Sequence, residues 1–382
     1  MQRRNPGEGP GRNGSNPGDP LTDLSTLLSD VLAGHRLTPA EATLLLETKD
    51  RSVHRILSAA DEMREQRVGA TVTYVRNQNL HVTNICKNLC GFCGFGRKAG
   101  DEGAYCHDRE GIQAQAKLAY ERKVTEICLL SGVHPEFTLD TFTDIMHWIH
   151  EVAPGVHLHA FSPDEVAHAA HRGKYTTPEV LARLKEEGLG TIQGTAAEIL
   201  VDSVRDVICP RKVPTADWVR IIKEAHEIGL RSTATIMYGS YETAGDQVEH
   251  LGILRDIQDE THGFTELVTL PYVHTSTPLY LQGIARAGPT GREDLLMIAV
   301  SRLFLDNIDN IQVAWGKVGL KMTQLALLSG ANDLAGTMFT DDVTGNAGAS
   351  GSDYLDPKDM ERIVTDIGRN LRQRTTLYEL VQ

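Results

Sequence analysis

The chain has 382 residues, of which 41% are hydrophobic and 23% are charged, and its formal net charge is −13 at pH 7. This acidic balance argues against nucleic acid as a partner, because phosphate binding requires a clustered basic surface. The aromatic content of 5% also argues against recognition by base stacking. No apolar run approaches the ~18 residues that cross a bilayer, so we expect a soluble protein that does not contact a membrane.

The first 20 residues are rich in Gly, Pro and Asn and contain no apolar stretch that could act as a secretory signal. We expect residues 1–20 to be a disordered tail and the protein to stay in the cytoplasm, where cysteines more often bind metal or react than form disulfides. Apolar residues then recur at helical spacing over 21–33 and 39–63, and Thr38 before Pro39 is a typical helix start. Residues 21–69 are therefore predicted to form an N-terminal helical extension.

From residue 70 onward, short β-rich runs alternate with helical segments. The predicted strands cover 70–76, 126–130, 156–161, 190–193, 231–237, 265–273, 310–314 and 334–339. The helices predicted among them cover 140–151, 178–187, 215–228, 246–259, 292–305 and 317–328. This alternation predicts an α/β fold, with a parallel TIM-type (β/α)8 barrel over 70–340. A loop and a final helix over 357–371 would form the C-terminal region, 341–382.

Three of the six cysteines lie within eight residues, in the segment Cys86-Lys-Asn-Leu-Cys90-Gly-Phe-Cys93 that follows the first predicted strand. Thiolates from one loop can each bind one iron of a 4Fe–4S cluster and leave the fourth iron without a protein ligand. The alternative is a zinc site, which needs four ligands and could recruit Cys106 and His107. The other cysteines are expected to be reduced thiols that bind no metal: Cys106, Cys128 and Cys209.

This motif resembles that of the radical S-adenosylmethionine (SAM) enzymes, and later segments resemble one family among them, CofH, the tyrosine-using subunit of deazaflavin (FO) synthase. The resemblance covers residues 37–376. Its segments are Asn77-Gln-Asn-Leu-His-Val-Thr-Asn84, Ser131-Gly-Val-His-Pro135, His159-Ala-Phe-Ser-Pro163, Gly194-Thr-Ala-Ala-Glu-Ile-Leu200, Met237-Tyr-Gly239 and Gly330-Ala-Asn-Asp333.

The resemblance implies an activity, its cofactors and its partners. The activity would be a radical SAM transferase reaction, in which a 4-hydroxybenzyl group moves from tyrosine to 5-amino-6-(D-ribitylamino)uracil during deazaflavin biosynthesis. The cofactors would be SAM and one 4Fe–4S cluster bound by Cys86, Cys90 and Cys93. A CofG-like companion subunit and a protein that supplies electrons are the implied partners.

Several positions are expected to contact SAM within that resemblance. Phe92 lies between the cysteines and would shield the cluster from water. Ser131 and Gly132 end the second predicted strand, where small residues either let the backbone approach the methionine group of SAM or merely form a tight turn. Ser162 follows the third strand and could bond a ribose hydroxyl.

Glu198 and Arg205 stand seven residues apart, which would place them on one face of a helix, where they could bind both ends of the SAM zwitterion or form a solvated pair. His159 on the third strand is a candidate either for substrate contact or for a core position. Further polar residues near strand ends are candidates for substrate binding, although β-branched residues are also good strand formers: Thr233, Thr235, Tyr238, His274 and Gln312.

The sequence departs from the usual CofH pattern at six positions: Leu130, Ser131, Gln193, Gly316, Thr340 and Asp341. These departures leave the cluster chemistry untouched but allow a diverged homologue with another substrate. Two further functions stay open beside the CofH-like transferase. One is a menaquinone-pathway (futalosine-type) radical SAM enzyme, and the other is a non-catalytic metal-binding scaffold.

Overall fold

The computed structural model describes residues 20–349 and 353–381. The tail predicted over 1–20 therefore lies outside the described residues except for Pro20, where the first helix begins. Within the described ranges, no helix combines the length and the apolar character that a membrane crossing requires.

Ten strands form one parallel sheet that is rolled into a barrel. The strands are β1 (Thr71–Val75), β2 (Asn77–His81), β3 (Glu126–Leu130), β4 (His157–Ala160), β5 (Thr191–Ile192), β6 (Ser232–Tyr238), β7 (Phe264–Pro271), β8 (Ile311–Val313), β9 (Asp333–Gly336) and β10 (Asn370–Arg374). β1 pairs with β9 and β10, whereas β2 pairs with β3.

β1 and β2 are two halves of one bent strand, because only Arg76 separates them. This bent strand closes the ring. The Thr337 amide donates to the Val75 carbonyl at 3.2 Å, and the Asn79 amide donates to the Met338 carbonyl at 2.9 Å, so both halves of this bent strand contact the segment that directly follows β9. With β1 and β2 counted as one strand and β10 outside the ring, eight parallel strands remain. This arrangement confirms the predicted (β/α)8 barrel.

Fifteen helices accompany the strands in the described ranges. They are α1 (Pro20–Leu32), α2 (Pro39–Glu47), α3 (Val53–Val68), α4 (Arg109–Glu121), α5 (Leu139–Val152), α6 (Pro163–Gly173), α7 (Thr177–Glu186), α8 (Asp202–Ile208), α9 (Thr215–Glu227), α10 (Ala244–Thr261), α11 (Pro278–Leu281), α12 (Gly291–Phe304), α13 (Trp315–Leu327), α14 (Asp342–Ala347) and α15 (Pro357–Thr365). The first three pack on one side of the barrel, where α2 contacts α10 and α12 and α3 contacts α12.

The helix boundaries follow from local hydrogen bonds. At α2, the Thr38 hydroxyl accepts from the Glu41 amide and the Glu41 carboxylate accepts from the Thr38 amide, which is a capping box. The sequence predicts one helix over 39–63, but the structure divides it into α2 and α3. The Asp50 carboxylate accepts from the Ser52 amide at 2.7 Å and stabilises the turn between them.

The C-terminal segment differs from the single helix predicted over 357–371. Helix α15 ends at Thr365, and β10 then adds to the sheet beside β1. Its last residue, Arg374, enters the amino-terminal end of the barrel and pairs with Asp333 at 2.6 Å and Glu266 at 3.0 Å. The amino-terminal end of the barrel is therefore closed by a buried ion-pair network that includes this added strand.

The barrel interior beyond the cavity wall is polar. Side chains there bond to register partners on adjacent strands, as Asn77 does to Glu126 at 3.3 Å and His159 to Thr191 at 2.8 Å. These groups are buried, so each needs a partner inside the protein. A hydrogen-bonded polar layer therefore lies inside the barrel, beyond the wall of the site described next.

Candidate active site

A cavity of about 270 Å³ lies at the carboxyl ends of the barrel strands. Its wall takes residues from the cysteine loop after β2 and from the loops after β3, β4, β5 and β7. Met237 of β6, Lys317 of α13, and Val343 and Ala347 of α14 also line it. TIM-type barrels carry their active sites at this end, because the loops there are free to vary while the strands hold them in place.

All three cysteines of the motif, Cys86, Cys90 and Cys93, line this cavity. Neighbouring backbone segments of the same chain hold the loop through hydrogen bonds. The Cys86 amide donates to the carbonyl of Arg97 at 2.9 Å, and the Gly91 amide donates to that of Ile208 at 3.0 Å. The sulfur-bearing loop is therefore positioned by the barrel and by α8.

The Arg97 side chain organises the end of the loop. Its guanidinium donates to the carbonyls of Gly94 at 2.8 Å, Phe95 at 3.2 Å and Gly96 at 3.0 Å. Amides of Phe95 and Gly96 donate to the Cys93 sulfur. Amide donors stabilise the charge of a thiolate that binds iron, and they tune the potential of the cluster.

The geometry fits a 4Fe–4S cluster better than a single zinc ion. Within the described part of the chain, no three His, Cys, Asp or Glu side chains converge on a point where one metal ion could bind. A cubane cluster instead takes each thiolate on a different iron atom. Cys106, which the zinc alternative would need, is exposed and does not line the cavity.

Burial dominates the electrostatics of the thiols. It raises the pKa of Cys90 well above the usual value and also raises the pKa of Cys93. Cationic iron reverses this preference, because a thiol that coordinates a metal loses its proton. The positive charge of Lys212 opposes the effect of burial at both sulfurs, so the protein also contributes to holding thiolates there.

Ser131 and Gly132 line the cavity beside the cysteine loop. A Cβ atom at Gly132 would lie 2.5 Å from the Ile85 carbonyl oxygen, so only glycine fits. The close approach that this glycine permits is to the backbone that leads into Cys86. Ser131 donates its hydroxyl to the Gly132 carbonyl at 2.8 Å.

Ser162 also lines the cavity, at the start of α6. Its hydroxyl donates to the Glu165 carboxylate at 2.8 Å within a capping box. Burial raises the pKa of Glu165 to about 7. Ser162 therefore fixes the first turn of α6. Its contact with a ribose hydroxyl stays a prediction.

Glu198 lines the cavity and pairs with Lys212, whose ammonium lies 2.6 Å from the Glu198 carboxylate. Lys212 also lies 5.6 Å from the centre of the Phe92 ring. Burial by itself would lower the pKa of Lys212, but Glu198 and nearby acidic groups raise it well above the usual value. The pair presents both signs of charge next to the cysteine loop.

The predicted pairing of Glu198 and Arg205 on one helix is wrong. Glu198 lies before α8 with a φ of 46°, which no helix contains. Arg205 is buried, does not line the cavity, and donates to four backbone carbonyls, among them those of Ala196 and Val213. Arg205 therefore holds the loop that carries Glu198 in place.

The six substrate candidates lie outside the cavity wall. Thr233 accepts from the Gly194 amide at 3.0 Å, and Thr235 donates to the Gly194 carbonyl at 2.7 Å, so both brace the loop after β5. The other four also have protein partners. Their contacts are His159 with Thr191, Tyr238 with Asp294, Gln312 with Glu266, and His274 with the ring of Tyr280. Their contact with substrate stays a prediction.

Three of the six departures from the usual pattern, Leu130, Ser131 and Gln193, line the cavity. Thr340 donates to the Asn79 carbonyl at 2.9 Å, and Asp341 caps α14. Gly316 lies in the first turn of α13, next to Lys317.

Sequence reasoning missed two lysines in the cavity wall, Lys212 and Lys317. Lys317 stands four residues after β8 ends, and the rule that barrel chemistry gathers at strand ends could have singled it out. No comparable signal marks Lys212, because its contact with Glu198 arises from the fold of the loop around α8.

Comparisons with known proteins agree with this geometry. Residues 80–253 match the radical SAM superfamily, and residues 261–382 match the CofH/MqnC C-terminal region. Among solved structures, the [FeFe]-hydrogenase maturase HydG superposes with a TM-score of 0.75 at 16% identity and covers 94% of this chain and 78% of its own. Methylornithine synthase (PylB) superposes with a TM-score of 0.66 at 18% identity, covering 90% and 97%. These two likenesses concern the fold.

Curated relatives are much closer in sequence. The 5-amino-6-(D-ribitylamino)uracil--L-tyrosine 4-hydroxyphenyl transferase of Methanosphaerula palustris is 59% identical over 94% of this chain and 98% of its own. The protein of the same name from Archaeoglobus fulgidus is 42% identical over 88% and 97%. The FO synthase of Nocardia farcinica is 41% identical, over 92% of this chain but only 42% of its own. The chain therefore belongs to the family of 5-amino-6-(D-ribitylamino)uracil--L-tyrosine 4-hydroxyphenyl transferases, within the radical SAM enzymes.

Proposed function

We propose that this chain transfers the 4-hydroxybenzyl group of tyrosine to 5-amino-6-(D-ribitylamino)uracil, a step in making the deazaflavin FO. The observation that carries the proposal is the single cavity into which Cys86, Cys90 and Cys93 all open at the catalytic end of the barrel. The identity of the two substrates is inferred from the names of the relatives in the transferase family. The Cα–Cβ bond of tyrosine would break, and the amino-acid fragment would leave as an imine of glycine.

The cofactors are one 4Fe–4S cluster and SAM, as in the rest of the radical SAM family. When bound, the cluster supplies the electron that breaks the bond between the sulfur and the C5′ carbon of SAM. Cys86, Cys90 and Cys93 would hold the cluster. Glu198 and Lys212 would bind the charged groups of SAM, because they present a carboxylate and an ammonium beside the cysteine loop.

The apolar part of the wall would keep water away from the reacting carbon atoms. Phe92, Met237, Leu270 and Pro271 line the cavity and offer no hydrogen-bonding side chain. Radical intermediates react with almost any group, so a closed apolar wall and close positioning of the reactants are the main contributions that the protein can make.

The partner proteins belong to the same proposal. This chain matches 42% of the length of the Nocardia FO synthase, which supports a CofG-like companion for the rest of FO formation. A separate protein would supply the electron. We place the enzyme in the cytoplasm, where the thiols needed for the cluster stay reduced. The menaquinone-type alternative has weaker support, because the close relatives are named for the tyrosine reaction.

The test is an anaerobic reaction of the reconstituted, reduced enzyme with SAM, the diaminouracil and either tyrosine or phenylalanine. Mass spectrometry would quantify 5′-deoxyadenosine and the coupled product. We expect coupling with tyrosine and a loss of at least about 100-fold with phenylalanine, since a site built for a phenol leaves a polar group unpaired without it. Formation of 5′-deoxyadenosine without coupling to either amino acid would assign the chain another substrate.

A further inference from the structure

The cavity wall contains two lysines in different electrostatic states. Lys212 is neutralised by Glu198 at 2.6 Å. Lys317 forms no ion pair within the described part of the chain, and its ammonium donates to the Thr344 hydroxyl at 2.7 Å. Lys317 therefore leaves a positive charge in the cavity without a carboxylate in contact.

The surroundings make this charge costly. Burial lowers the pKa of Lys317, and the negative charge of Asp341 opposes that shift. The Asp341 carboxylate instead accepts from the Thr344 amide at 3.0 Å, at the start of α14. A half-buried ammonium with one hydroxyl partner still has donor capacity for an anion, because it carries three N–H groups.

The position of Lys317 in the wall restricts the shape of that anion. β8 precedes Lys317 and pairs with β7, whose end contributes Leu270, Pro271 and Tyr272 to the cavity. Val343 and Ala347 of α14 contribute a second apolar stretch. The charge therefore lies among apolar residues, which suits a ligand with an anionic group attached to an aromatic or aliphatic body.

Among the reactants of the proposed function, on which this inference rests, tyrosine fits that description. The diaminouracil carries no carboxylate. SAM carries one, but the open iron of the cluster would bind it beside the cysteine loop, where Lys212 and Glu198 also lie. We propose that Lys317 binds the carboxylate of the amino-acid substrate and so fixes the position of its Cα–Cβ bond.

The test compares L-tyrosine with L-tyrosinamide, in which a neutral amide replaces the carboxylate but the 4-hydroxybenzyl group is the same. Wild-type enzyme, Lys317→Met and Lys317→Arg would be assayed for coupled product. Lys321→Met is the matched control, because Lys321 is an exposed lysine on the same helix. Equilibrium dialysis of tyrosine against each protein measures binding without turnover.

We expect Lys317→Met to lower kcat/KM for tyrosine on the order of 100-fold, because a charge-assisted hydrogen bond inside the cavity is lost. Activity with tyrosinamide and the KM for SAM should change less than about threefold, since neither uses the removed charge. Lys317→Arg should recover part of the tyrosine activity, and Lys321→Met should match the wild type.

Equal losses with tyrosine and tyrosinamide would overturn the assignment, because they would show that Lys317 supports the fold of the site. A rise in the KM for SAM alone would also overturn it and assign the lysine to the cofactor. If wild-type enzyme couples neither tyrosine nor tyrosinamide, the proposed function itself fails, and the assignment of Lys317 to an amino-acid carboxylate fails with it.

Discussion

Glu198 and Lys212 form a 2.6 Å ion pair in the wall of the cavity, and both side chains are largely shielded from solvent, at 11% and 15% exposure. Removing one partner of such a pair leaves the other charge poorly solvated, which costs stability even where the pair adds little. The pair can therefore be tested for a structural and a functional role separately.

We expect Glu198→Gln and Lys212→Met each to destabilise the protein by about 2 kcal/mol, because each leaves one charge unpaired. The double variant should recover most of that stability, since it removes both charges. Urea unfolding of the four proteins measures this. The KM for SAM should rise in all three variants, and recovery of normal SAM affinity in the double variant would show that the pair is structural only.

Replacement of Cys90 by Ala should abolish reductive SAM cleavage and leave the barrel folded, because the cluster loses one of three iron ligands. Iron and sulfide analysis after anaerobic reconstitution, with 5′-deoxyadenosine as the product measured, gives the readout. Cys106→Ala is the matched control, since Cys106 is exposed and does not line the cavity. Full SAM cleavage by the Cys90→Ala protein would contradict the assignment.

The barrel and its cysteine loop were predictable from sequence because both depend on local patterns. Alternating strands and helices determine the barrel, and a motif of eight residues determines the metal centre. The bend at Arg76 was not predictable in the same way. It depends on which strands pair with each half of the segment, and pairing partners lie far away in the chain.

The polar contacts of the site were harder to predict for the same reason. Arg205 and Glu198 are close in sequence, yet the positive φ of Glu198 directs them to different partners. The strand β10 escaped prediction because its residues, Asn-Leu-Arg-Gln-Arg, are mostly polar. Its position depends on backbone pairing with β1 and on the buried carboxylates that Arg374 meets.

Gly132→Ala should destabilise the cysteine loop, because the added methyl group would lie 2.5 Å from the Ile85 carbonyl oxygen. Overpacking of this kind costs about 1–3 kcal/mol, and it should reduce cluster content after reconstitution. Gly252→Ala in α10 is the control, since no atom lies within 4 Å of the Cβ that it adds. Equal iron content in the two variants would show that the loop tolerates the shift.

We expect His250 to make the folded protein less stable as the pH is lowered. Its Nδ1 accepts from the Leu200 amide and its Nε2 donates to the Thr235 carbonyl, each at 2.9 Å, so the folded protein requires the neutral ring. Burial lowers its pKa from 6.5 to about 3. Below pH 6.5 the unfolded chain binds this proton and the folded chain does not, so stability decreases by up to about 1.4 kcal/mol per pH unit until the folded pKa is reached.

The variant His250→Gln isolates this contribution, because every other titrating group stays the same. Urea unfolding at pH 7.5, 6.5 and 5.5 should give a shallower decrease of stability for the variant than for the wild type. Identical slopes in the two proteins would show that His250 does not account for the acid sensitivity.

Arg374→Met should be among the most destabilising substitutions. Arg374 is 1% exposed, and it pairs with Asp333, which is fully buried, and with Glu266, which is 5% exposed. Without it, two carboxylates face each other in the barrel interior with no cation, which costs about 3–5 kcal/mol. Arg362→Met is the control, because Arg362 in α15 is 68% exposed and its contact with Asp359 is solvated.

Because Arg374 ends β10, the same experiment tests whether the added strand holds the amino-terminal end of the barrel closed. A loss below 1 kcal/mol would mean that water or protonation of Glu266, whose pKa burial already raises to about 7, replaces the arginine.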